Sequence, residues 1–324
     1  MKAIVCTKYG SPDYLKFMDR PKPVPKDDEV LVKVVATTVT AADTMMRKAE
    51  PFISRLFLGL TKPKNDITGT GFAGIVEAKG NAVTKFKVGD LVFGESGISF
   101  GANAEYVSVA EEGVIMKKPE TLSFEEAATI SDGVLTSFNF LKIIGKISEG
   151  QSVLVIGASG SLGTAAIQLA KYFGATVTGV CSGKNEKLVR SLGADYVIDY
   201  TKEEFTKSEI GFDIVYDAIG NSSFLKCRKI LNENGVYLTP VLKFSQLMPM
   251  VIMSMLGNKK GKFSATGLLP ASDLRIMLVN ILEIINGNQL KTVIDKRYSL
   301  SDAIKAHHYV DTGRKTGNVV LEVL

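Results

Sequence analysis

The chain has 324 residues, 45% of them hydrophobic and 23% charged, with a formal net charge of +5. These values are typical of a globular protein that is long enough for two domains. The lysines are scattered along the chain rather than clustered, so the charge does not indicate a nucleic-acid partner.

The N-terminal residues and the cysteines both favour a cytoplasmic protein. Residues 1–10 begin as a strand and lack the apolar core of a signal peptide. The three cysteines match neither a metal-binding spacing nor a disulfide framework, which is typical of reduced thiols. The most apolar window, 244–256, contains Pro249 and is too short to cross a bilayer. We therefore expect a cytoplasmic protein without stable membrane insertion.

The first 124 residues show strand and turn signals and little helix. A short helix is predicted to begin after Thr40, with Asp43 and Arg47 one turn apart on it. Short strands separated by Gly and Asp turns predict a small, mostly antiparallel β-barrel. The predicted strands cover residues 1–7, 29–36, 75–76, 91–94 and 104–109.

After residue 119 the pattern changes to alternating strands and helices, which predicts a parallel sheet covered on both faces. A helix is predicted to begin at Ser123, with Glu126 completing a capping box. The predicted strands are 153–156, 176–181, 196–198, 214–218 and 236–239, and the helices between them are 164–173, 185–192, 201–207 and 222–231. A longer helix is predicted over 271–286, and the final strand over 318–324 is expected to return to the first domain's sheet.

The stretch 151–163, QSVLVIGASGSLG, carries the strongest functional signal. A buried strand over 152–156 is followed by a glycine turn and a helix, an arrangement that directs backbone N–H groups and the positive end of a helix dipole toward a phosphate. Gly160 would let a pyrophosphate approach, and Gly163 would let the helix lie close to the strand. Ala158 stands where the usual fingerprint has its first glycine, and a structural turn without ligand is the alternative. We predict that a dinucleotide binds Ala158, Ser159, Gly160, Ser161, Leu162 and Gly163.

Several stretches together resemble the medium-chain dehydrogenase/reductase superfamily, and more narrowly its zinc-free quinone oxidoreductase branch. They are GIVEAKGNAVTKFKVGDLVFG (74–94), GASGSLGTAAIQLAK (157–171), LGADYVIDY (192–200), FDIVYDAIG (212–220) and the C-terminal segment 293–323. The resemblance implies an α/β protein with two domains and an active site in the cleft between them. A discontinuous GroES-like β-barrel catalytic domain would take 1–124 and 267–324, and a Rossmann domain with a doubly wound parallel sheet would take 125–266.

The positions at which zinc-dependent relatives hold their catalytic metal carry no zinc ligands here. The first falls at 40–43, without a cysteine, and the second falls around Thr70, without a histidine. Zinc needs thiolate or imidazole ligands, and the histidines, His307 and His308, are expected to pack or to lie at the surface. We therefore predict that the protein binds no metal.

The cofactor is predicted to be NADPH. NADH-specific proteins usually place a carboxylate at the end of the second strand, but no acid lies between residues 177 and 185. Ser182 and Lys184 stand there instead and suit a 2′-phosphate, although Lys184 could equally be a solvated loop lysine. Tyr200, Arg314 and Lys315 resemble phosphate contacts of NADPH-dependent relatives.

The resemblance also implies which residues lie near the nicotinamide and the substrate. It places Thr40, Asp43 and Arg47 along the cleft as candidate catalytic residues, where Arg47 would stabilise an enolate or quinol oxygen. The alternative is a structural Asp43–Arg47 ion pair. Thr136 could likewise be an ordinary helix threonine, and Asp217 a strand-end cap. The implied nicotinamide contacts are Thr136, Ala218, Ile219, Gly220, Thr239 and Val241.

Without zinc, no Lewis acid activates a simple alcohol, so a quinone or an α,β-unsaturated carbonyl is the expected acceptor. The proton donor is not identified by the sequence. An NADPH-binding redox sensor or structural protein, and an enoyl reductase acting on a carrier-bound chain, are the alternatives. The methionine-rich segment 242–260 suits an apolar cleft wall, a core or a subunit interface. A homodimer is expected, with residues 263–266 as its edge.

Overall fold

The computed structural model describes residues 1–241 and 244–323, without the side chains of Ile53 and Phe244. The strands are β1 (Lys2–Cys6), β2 (Leu15–Asp19), β3 (Glu29–Thr38), β4 (Gly71–Lys79), β5 (Leu91–Glu95), β6 (Tyr106–Ala110), β7 (Val114–Lys117), β8 (Ser152–Ile156), β9 (Thr176–Cys181), β10 (Tyr196–Asp199), β11 (Phe212–Asp217), β12 (Leu231–Thr239), β13 (Lys260–Phe263), β14 (Ile294–Ser299) and β15 (Asn318–Glu322). The α-helices are α1 (Ala41–Lys48), α2 (Arg55–Leu58), α3 (Phe124–Thr129), α4 (Leu135–Phe138), α5 (Ser161–Tyr172), α6 (Glu186–Ser191), α7 (Phe224–Cys227), α8 (Phe244–Met255), α9 (Ala271–Asn286) and α10 (Ala303–Asp311).

The chain forms two compact units. The first consists of Met1–Asp132, Gly267–Leu282 and Val293–Leu324, and the second of Gly133–Thr266 and Glu283–Thr292. The first break in the chain thus falls after Asp132, later than the expected boundary at 124. The assignment of a catalytic role to the first unit and of a cofactor role to the second is a proposal, taken up below.

The first unit is built on a mostly antiparallel seven-stranded sheet. Its order is β14-β15-β3-β4-β5-β7, with β6 also pairing with β3, and β14–β15 is its parallel pair. The final strand returns to this sheet as predicted, because Val320 of β15 lies opposite Thr38 of β3. Apolar side chains of β3 and β4, among them Val30, Val32 and Phe72, are fully buried and form the core beneath the sheet.

The second unit is a six-stranded sheet in which every pairing is parallel. Its order, β10-β9-β8-β11-β12-β13, runs outward from β8 in both directions. This is the doubly wound order, and such sheets bind ligands at the carboxyl ends of the strands, where the order reverses between the two halves. Here the reversal lies between β8 and β11. The predicted α/β fold class is therefore confirmed.

The helix predicted over 201–207 is wrong. Only a single 3₁₀ turn forms, at Phe205–Lys207. The cause lies just before it, because the Asp199 carboxylate accepts hydrogen bonds from the backbone N–H and the hydroxyl of Thr201, at 3.0 and 2.7 Å. A short acidic side chain that binds the next turn in this way competes with helix formation. The helix predicted over 222–231 is shorter than expected, because α7 covers only Phe224–Cys227. A 3₁₀ turn at Arg228–Ile230 and the start of β12 at Leu231 follow it.

Within the described residues, no helix combines the length and the apolar character that crossing a membrane requires.

The segment from 123 to 144 begins as predicted, with Ser123 capping α3 and Glu126 bonding back to the Ser123 backbone. Wider π-type turns follow at Ile130–Val134 and Asn139–Ile144, on either side of α4. Such turns often occur at functional sites.

Candidate functional site

The glycine turn joins the buried strand β8 directly to helix α5. Gly157 follows the strand with a φ of +79°, a region that favours glycine. At Gly163, an added side-chain carbon would overlap the Gly157 carbonyl oxygen and lie 2.7 Å from the Ala158 Cα. No side chain fits there, because the first turn of α5 lies directly against the residues that follow β8.

At Gly160, in contrast to Gly163, no protein atom lies close enough to exclude a side chain. An added carbon at Gly160 would have its nearest atom, the Gly157 carbonyl oxygen, at 3.4 Å, which is an ordinary contact. Gly160 is also the N-cap residue of α5 and supplies no capping side chain to the helix. The space left open at the N-terminus of a twelve-residue helix fits the phosphates of a dinucleotide.

Ala158 departs from the usual glycine fingerprint, and the structure shows why it is tolerated. Its methyl group is fully buried against β9. The facing residue there is Gly179, where an added carbon would lie 3.1 Å from the Ala158 Cβ and 2.6 Å from Val189 Cγ1. The glycine of β9 makes room for the alanine of the turn.

The structure brings most of the remaining cofactor candidates to one edge of the parallel sheet. Each of these residues ends or follows a strand, and the carboxyl ends of parallel strands share an edge. They are Ser182 and Lys184 after β9, Tyr200 after β10, Ala218, Ile219 and Gly220 after β11, and Thr239 and Val241 at the end of β12. Tyr200 and Ile219 are 60% and 44% exposed, so both side chains are accessible to a ligand.

Asn185 belongs to this edge and was not predicted. Its backbone N–H donates to the Ser182 carbonyl at 2.8 Å, which closes the turn containing Lys184. Its side-chain amide donates to Ser159 Oγ at 2.9 Å, which ties this turn to the glycine turn. Lys184 itself is exposed. The preference of asparagine for turns is the signal by which Asn185 could have been identified from the sequence.

Asp199 places a carboxylate beside the end of β9. It does not follow β9 directly in the sequence, so it lies outside residues 177–185, where an acid was sought. It lies on β10, opposite Cys181, and an added carbon at Gly183 would overlap its Oδ2. The hydrogen bonds from Thr201 lower the pKa of Asp199 below its ordinary value, with the Thr201 hydroxyl contributing most. This acid is therefore ionised and already engaged by the protein backbone.

Asp217 holds the loop that follows β11. Its fully buried carboxylate accepts hydrogen bonds from the Ser222 N–H at 2.7 Å and the Tyr237 hydroxyl at 2.8 Å. Burial first, and the Asp217 charge second, raise the pKa of Tyr237. Gly220, with a φ of +65°, lies so close to Val241 that an added carbon would be 2.6 Å from its Cβ. Asp217 therefore caps the end of β11, which is one of the interpretations that the sequence allowed for this residue.

Thr136 lies half-buried on α4, within the second unit. The next residue, Ser137, donates to the Leu162 carbonyl at 2.8 Å. Gly133, at the start of the unit, lies so near the glycine turn that an added carbon would be 2.6 Å from Ser161 Oγ. The segment 133–138 therefore packs directly on the predicted phosphate turn.

The three candidate catalytic residues lie in the first unit, on or just before α1. Thr40 caps this helix by accepting from the Asp43 N–H at 3.0 Å, and Asp43 Oδ2 accepts from the Thr40 N–H at 2.8 Å. Burial raises the pKa of Asp43 to about 7. The predicted helix start is confirmed, and one of the two carboxylate oxygens of Asp43, Oδ2, accepts the hydrogen bond that completes the cap.

The Asp43–Arg47 ion pair considered from the sequence is not what the structure shows. The Arg47 side chain is fully buried and donates to the Gly10 carbonyl and, at 2.6 Å, to Asp311 Oδ2. Asp311 lies on α10, far along the chain, and also pairs with Lys48 at 3.0 Å. Arg47 therefore joins α1 to α10, because a buried guanidinium needs a charged partner.

Both histidines follow the prediction of packing or surface roles. His307 is fully buried on α10, and burial lowers its pKa to about 3. His308 is exposed, with its Nε2 2.8 Å from Asp13 Oδ1. Among the described residues, no group of three His, Cys, Asp or Glu side chains is arranged to hold a metal ion.

Arg314 and Lys315 are adjacent in the chain but differ in environment. Arg314 is exposed, whereas Lys315 is half-buried and donates to the Gly317 carbonyl at 2.7 Å. Burial lowers the pKa of Lys315 to about 8, against the opposing influence of Asp132 and Asp295. Of the two, Arg314 has the freer side chain for a phosphate.

The methionine-rich segment forms α8, although residues 242 and 243 lie outside the described residues. Met250 is buried, whereas Met248 and Met255 are 64% and 80% exposed. Its buried side lines a surface cavity next to two of the predicted nicotinamide contacts. The cavity is lined by Phe224, Tyr237, Thr239, Val241, Gln246, Leu247, Met250 and Phe263.

Comparison with known proteins agrees with this geometry. Residues 26–120 match the alcohol dehydrogenase GroES-like domain, and residues 192–321 match a family described as zinc-binding dehydrogenase. A 2-methylene-furan-3-one reductase of Solanum lycopersicum is 34% identical, over 99% of this chain and 79% of the relative. An NADPH-dependent alkenal/one oxidoreductase of Arabidopsis thaliana is 31% identical, over 99% and 79%.

A solved quinone oxidoreductase structure from Coxiella burnetii superimposes with a TM-score of 0.89, at 27% identity and over 100% of this chain and 99% of that one. The sequence relatives and the solved structure both extend over nearly the whole chain, in agreement with the two matched domain families. The chain therefore belongs to the medium-chain dehydrogenase/reductase superfamily of nicotinamide-dependent oxidoreductases, in its quinone oxidoreductase-like branch.

Proposed function

We propose that the protein is a zinc-independent reductase that transfers hydride from NADPH to a quinone or an α,β-unsaturated carbonyl. The observation that carries the proposal is the glycine turn, in which Gly163 is required by packing and Gly160 is left open. This turn lies where the strand order reverses, the usual place for a dinucleotide. NADPH, when bound, supplies a hydride from its nicotinamide ring.

The choice of NADPH over NADH rests on the edge beyond β9. Ser182, Lys184 and Asn185 present a hydroxyl, an ammonium and an amide there. These groups suit a 2′-phosphate, whereas a carboxylate aimed at the ribose would repel it. The nearby acid, Asp199, is occupied by Thr201. The name of the Arabidopsis relative also includes NADPH dependence.

The acceptor class is inferred from the relatives and from the lack of a cysteine at 40–43 and of a histidine around Thr70. The two sequence relatives are named for reduction of a methylene-furanone and of alkenals or enones, and the solved structure is a quinone oxidoreductase. In all three acceptor classes a conjugated carbonyl delocalises the charge that the hydride brings. Within the second unit, the loop 218–220 together with Thr239 and Val241 would help to hold the cofactor.

The test is a fluorescence titration of the purified protein with NADPH and NADH, followed by turnover assays with quinones, enals and simple alcohols. We expect tighter binding of NADPH and turnover of at least one conjugated carbonyl. About one zinc per chain, or efficient oxidation of simple alcohols with NAD, would contradict the proposal. Tight NADPH binding without turnover across the panel would favour a sensor or structural role instead. The cytoplasmic location and the homodimer remain predictions.

A further inference from the structure

Helix α8 of the second unit exposes a continuous apolar stripe on its outer side. The exposed side chains follow one another at spacings of three and four residues, so they share one face of the helix. Leu256 comes directly after α8 and continues it, because its N–H donates to the Ile252 carbonyl at 3.2 Å. We define the α8 face as Met248, Val251, Ile252, Met255 and Leu256, which are between 45 and 80% exposed.

The α8 face is not what holds the helix on its unit. Met250, on the other side of α8, is buried in the core of the second unit, and Leu247 and Met253 pack against the same core. A surface helix ordinarily turns charged residues outward, but the sequence of α8, FSQLMPMVIMSM, contains none. Because contiguous exposed apolar patches mark interaction sites, the α8 face points to an apolar partner.

Three cations gather where α8 ends. The Lys260 ammonium donates to the carbonyls of Ser254 and Gly257, at 2.7 and 2.8 Å. The Lys259 ammonium donates to the Arg228 carbonyl at 3.0 Å. The Arg228 guanidinium lies there as well, because an added carbon at Gly257 would be 3.1 Å from its Nη2. We define the basic end of α8 as Arg228, Lys259 and Lys260.

Acids do not balance the positive charge of the basic end. Among the described residues, none of its three side chains forms an ion pair with an Asp or Glu. Residues 234–272 contain four lysines and neither Asp nor Glu. Glu233, just before them, accepts a hydrogen bond from the Asn258 amide at 2.6 Å. This surface therefore combines an apolar stripe with a net positive charge at one end.

An anionic lipid surface complements both parts. The boundary between headgroups and acyl chains accepts the apolar face of a helix, and acidic headgroups attract neighbouring Lys and Arg side chains. A second copy of the chain is a poorer match. If it presented the same surface, it would add three further cations and no acid from residues 234–272, and like charges that meet at an interface oppose association.

We propose that α8 docks the second unit reversibly on an anionic lipid surface. The α8 face enters the boundary between headgroups and acyl chains, and the basic end contacts lipid phosphates. The twelve residues of α8 extend about 18 Å, so the helix lies along the surface and does not cross the bilayer. The docking does not depend on the proposed reductase activity.

The chain contains no tryptophan, so a single reporter can be placed on the α8 face. In Met255→Trp, the emission should shift to shorter wavelengths when vesicles of equal parts phosphatidylcholine and phosphatidylglycerol are added. Ile210→Trp places the same reporter at another exposed apolar position of the second unit, and its emission should not shift. Unshifted emission from Met255→Trp, or the same shift from both variants, would overturn the proposal.

Co-sedimentation with these vesicles measures the two parts of the surface separately. Met255→Gln should weaken binding on the order of tenfold, whereas Ile210→Gln should leave it unchanged. Arg228→Gln should weaken binding about fivefold and reduce its dependence on salt. Lys187→Gln, a change of an exposed lysine on α6, should do neither.

Vesicles of phosphatidylcholine alone should bind the unchanged protein only weakly. The Tm of each variant should equal that of the unchanged protein, which shows that the variants are folded. Equal binding to both kinds of vesicle, or full binding by folded Met255→Gln, would count against docking through the α8 face.

Sedimentation velocity without lipid tests the second copy as the partner. The unchanged protein and Met255→Gln should show the same oligomeric state over a range of protein concentrations. A dimer that Met255→Gln dissociates would assign the α8 face to a subunit interface and overturn the lipid proposal.

Discussion

Gly160 and Gly163 stand three residues apart, but only Gly163 is required to be glycine by its protein neighbours. Gly163 is surrounded by backbone atoms of Gly157 and Ala158, which cannot move aside as a flexible side chain can. Gly160 meets nothing closer than an ordinary contact, so the protein itself does not require glycine there, and its contact with a pyrophosphate stays a prediction. The packing role of Gly163 could be predicted from the fingerprint, because it depends on a local strand–turn–helix geometry that neighbouring residues determine.

Alanine substitutions should separate the two roles. Gly163→Ala forces backbone atoms apart and should destabilise the protein by about 1–3 kcal/mol, with a corresponding loss of NADPH binding. Gly160→Ala should leave the stability nearly unchanged and weaken NADPH binding at least about tenfold. Thermal denaturation and fluorescence titration measure the two effects. Equal loss of stability in both variants would show that Gly160 is also constrained by the protein.

Lys184 offers a direct test of cofactor preference. A charged hydrogen bond to a 2′-phosphate contributes about 1.5–3 kcal/mol, so Lys184→Ala should weaken NADPH binding by about 10- to 150-fold. NADH affinity should change little, because NADH lacks this phosphate. Lys187→Ala, which removes another exposed lysine two residues after the turn, is the matched control. Equal effects on NADPH and NADH would argue against a phosphate contact.

At the scale of elements, helix α1 depends on its cap. The reciprocal bonds between Thr40 and Asp43 satisfy N–H groups at the helix start. Thr40→Ala should cost about 0.5–2 kcal/mol of unfolding free energy, measured by urea denaturation. Thr40→Ser keeps the hydroxyl and should lose much less. A similar loss in both variants would mean that the threonine methyl group, rather than the cap, is stabilising.

Elements that depend on local sequence were predictable, whereas contacts between distant segments were not. Most strands of the two sheets, the caps at Thr40 and Ser123 and the turn at 157–163 follow from short patterns, whereas the strands β7, β13 and β14 were not predicted. Asp199 was missed because it reaches the end of β9 from the neighbouring strand. The partner of Arg47, Asp311, was missed because only the folded first unit brings α10 beside α1. Thr38 and Ser131 likewise come together beside Gly71 only in the folded first unit.

At the scale of the whole molecule, buried acids make stability depend on pH. The pKa of Glu95 rises from an ordinary value of about 4.5 to about 8 in the folded state, so the folded protein binds more protons across this interval. Stability should therefore fall as pH rises from about 5 to 8. Glu95→Gln should flatten this fall in Tm, and Glu120→Gln, a change of an exposed glutamate in the same unit, should not. A Tm of the unchanged protein that rises over this range would contradict the expectation.

His307 acts in the opposite sense at lower pH. Its folded pKa of about 3 lies below the ordinary 6.5, so the unfolded chain binds more protons between these values. Its contribution to stability is lost as pH falls through that interval. From the pKa shifts of Glu95 and His307 together, we expect the highest stability in mildly acidic solution.

The pairing of β15 with β3 has a consequence for biosynthesis. Residues 36–38 of β3 receive this partner only from residues 320–322, which the ribosome makes after the entire second unit. The second unit can therefore complete its sheet while the first still has an unpaired edge. During translation, that edge is open to pairing with other nascent chains. That edge stays open until residues 320–322 have been made and can pair with β3.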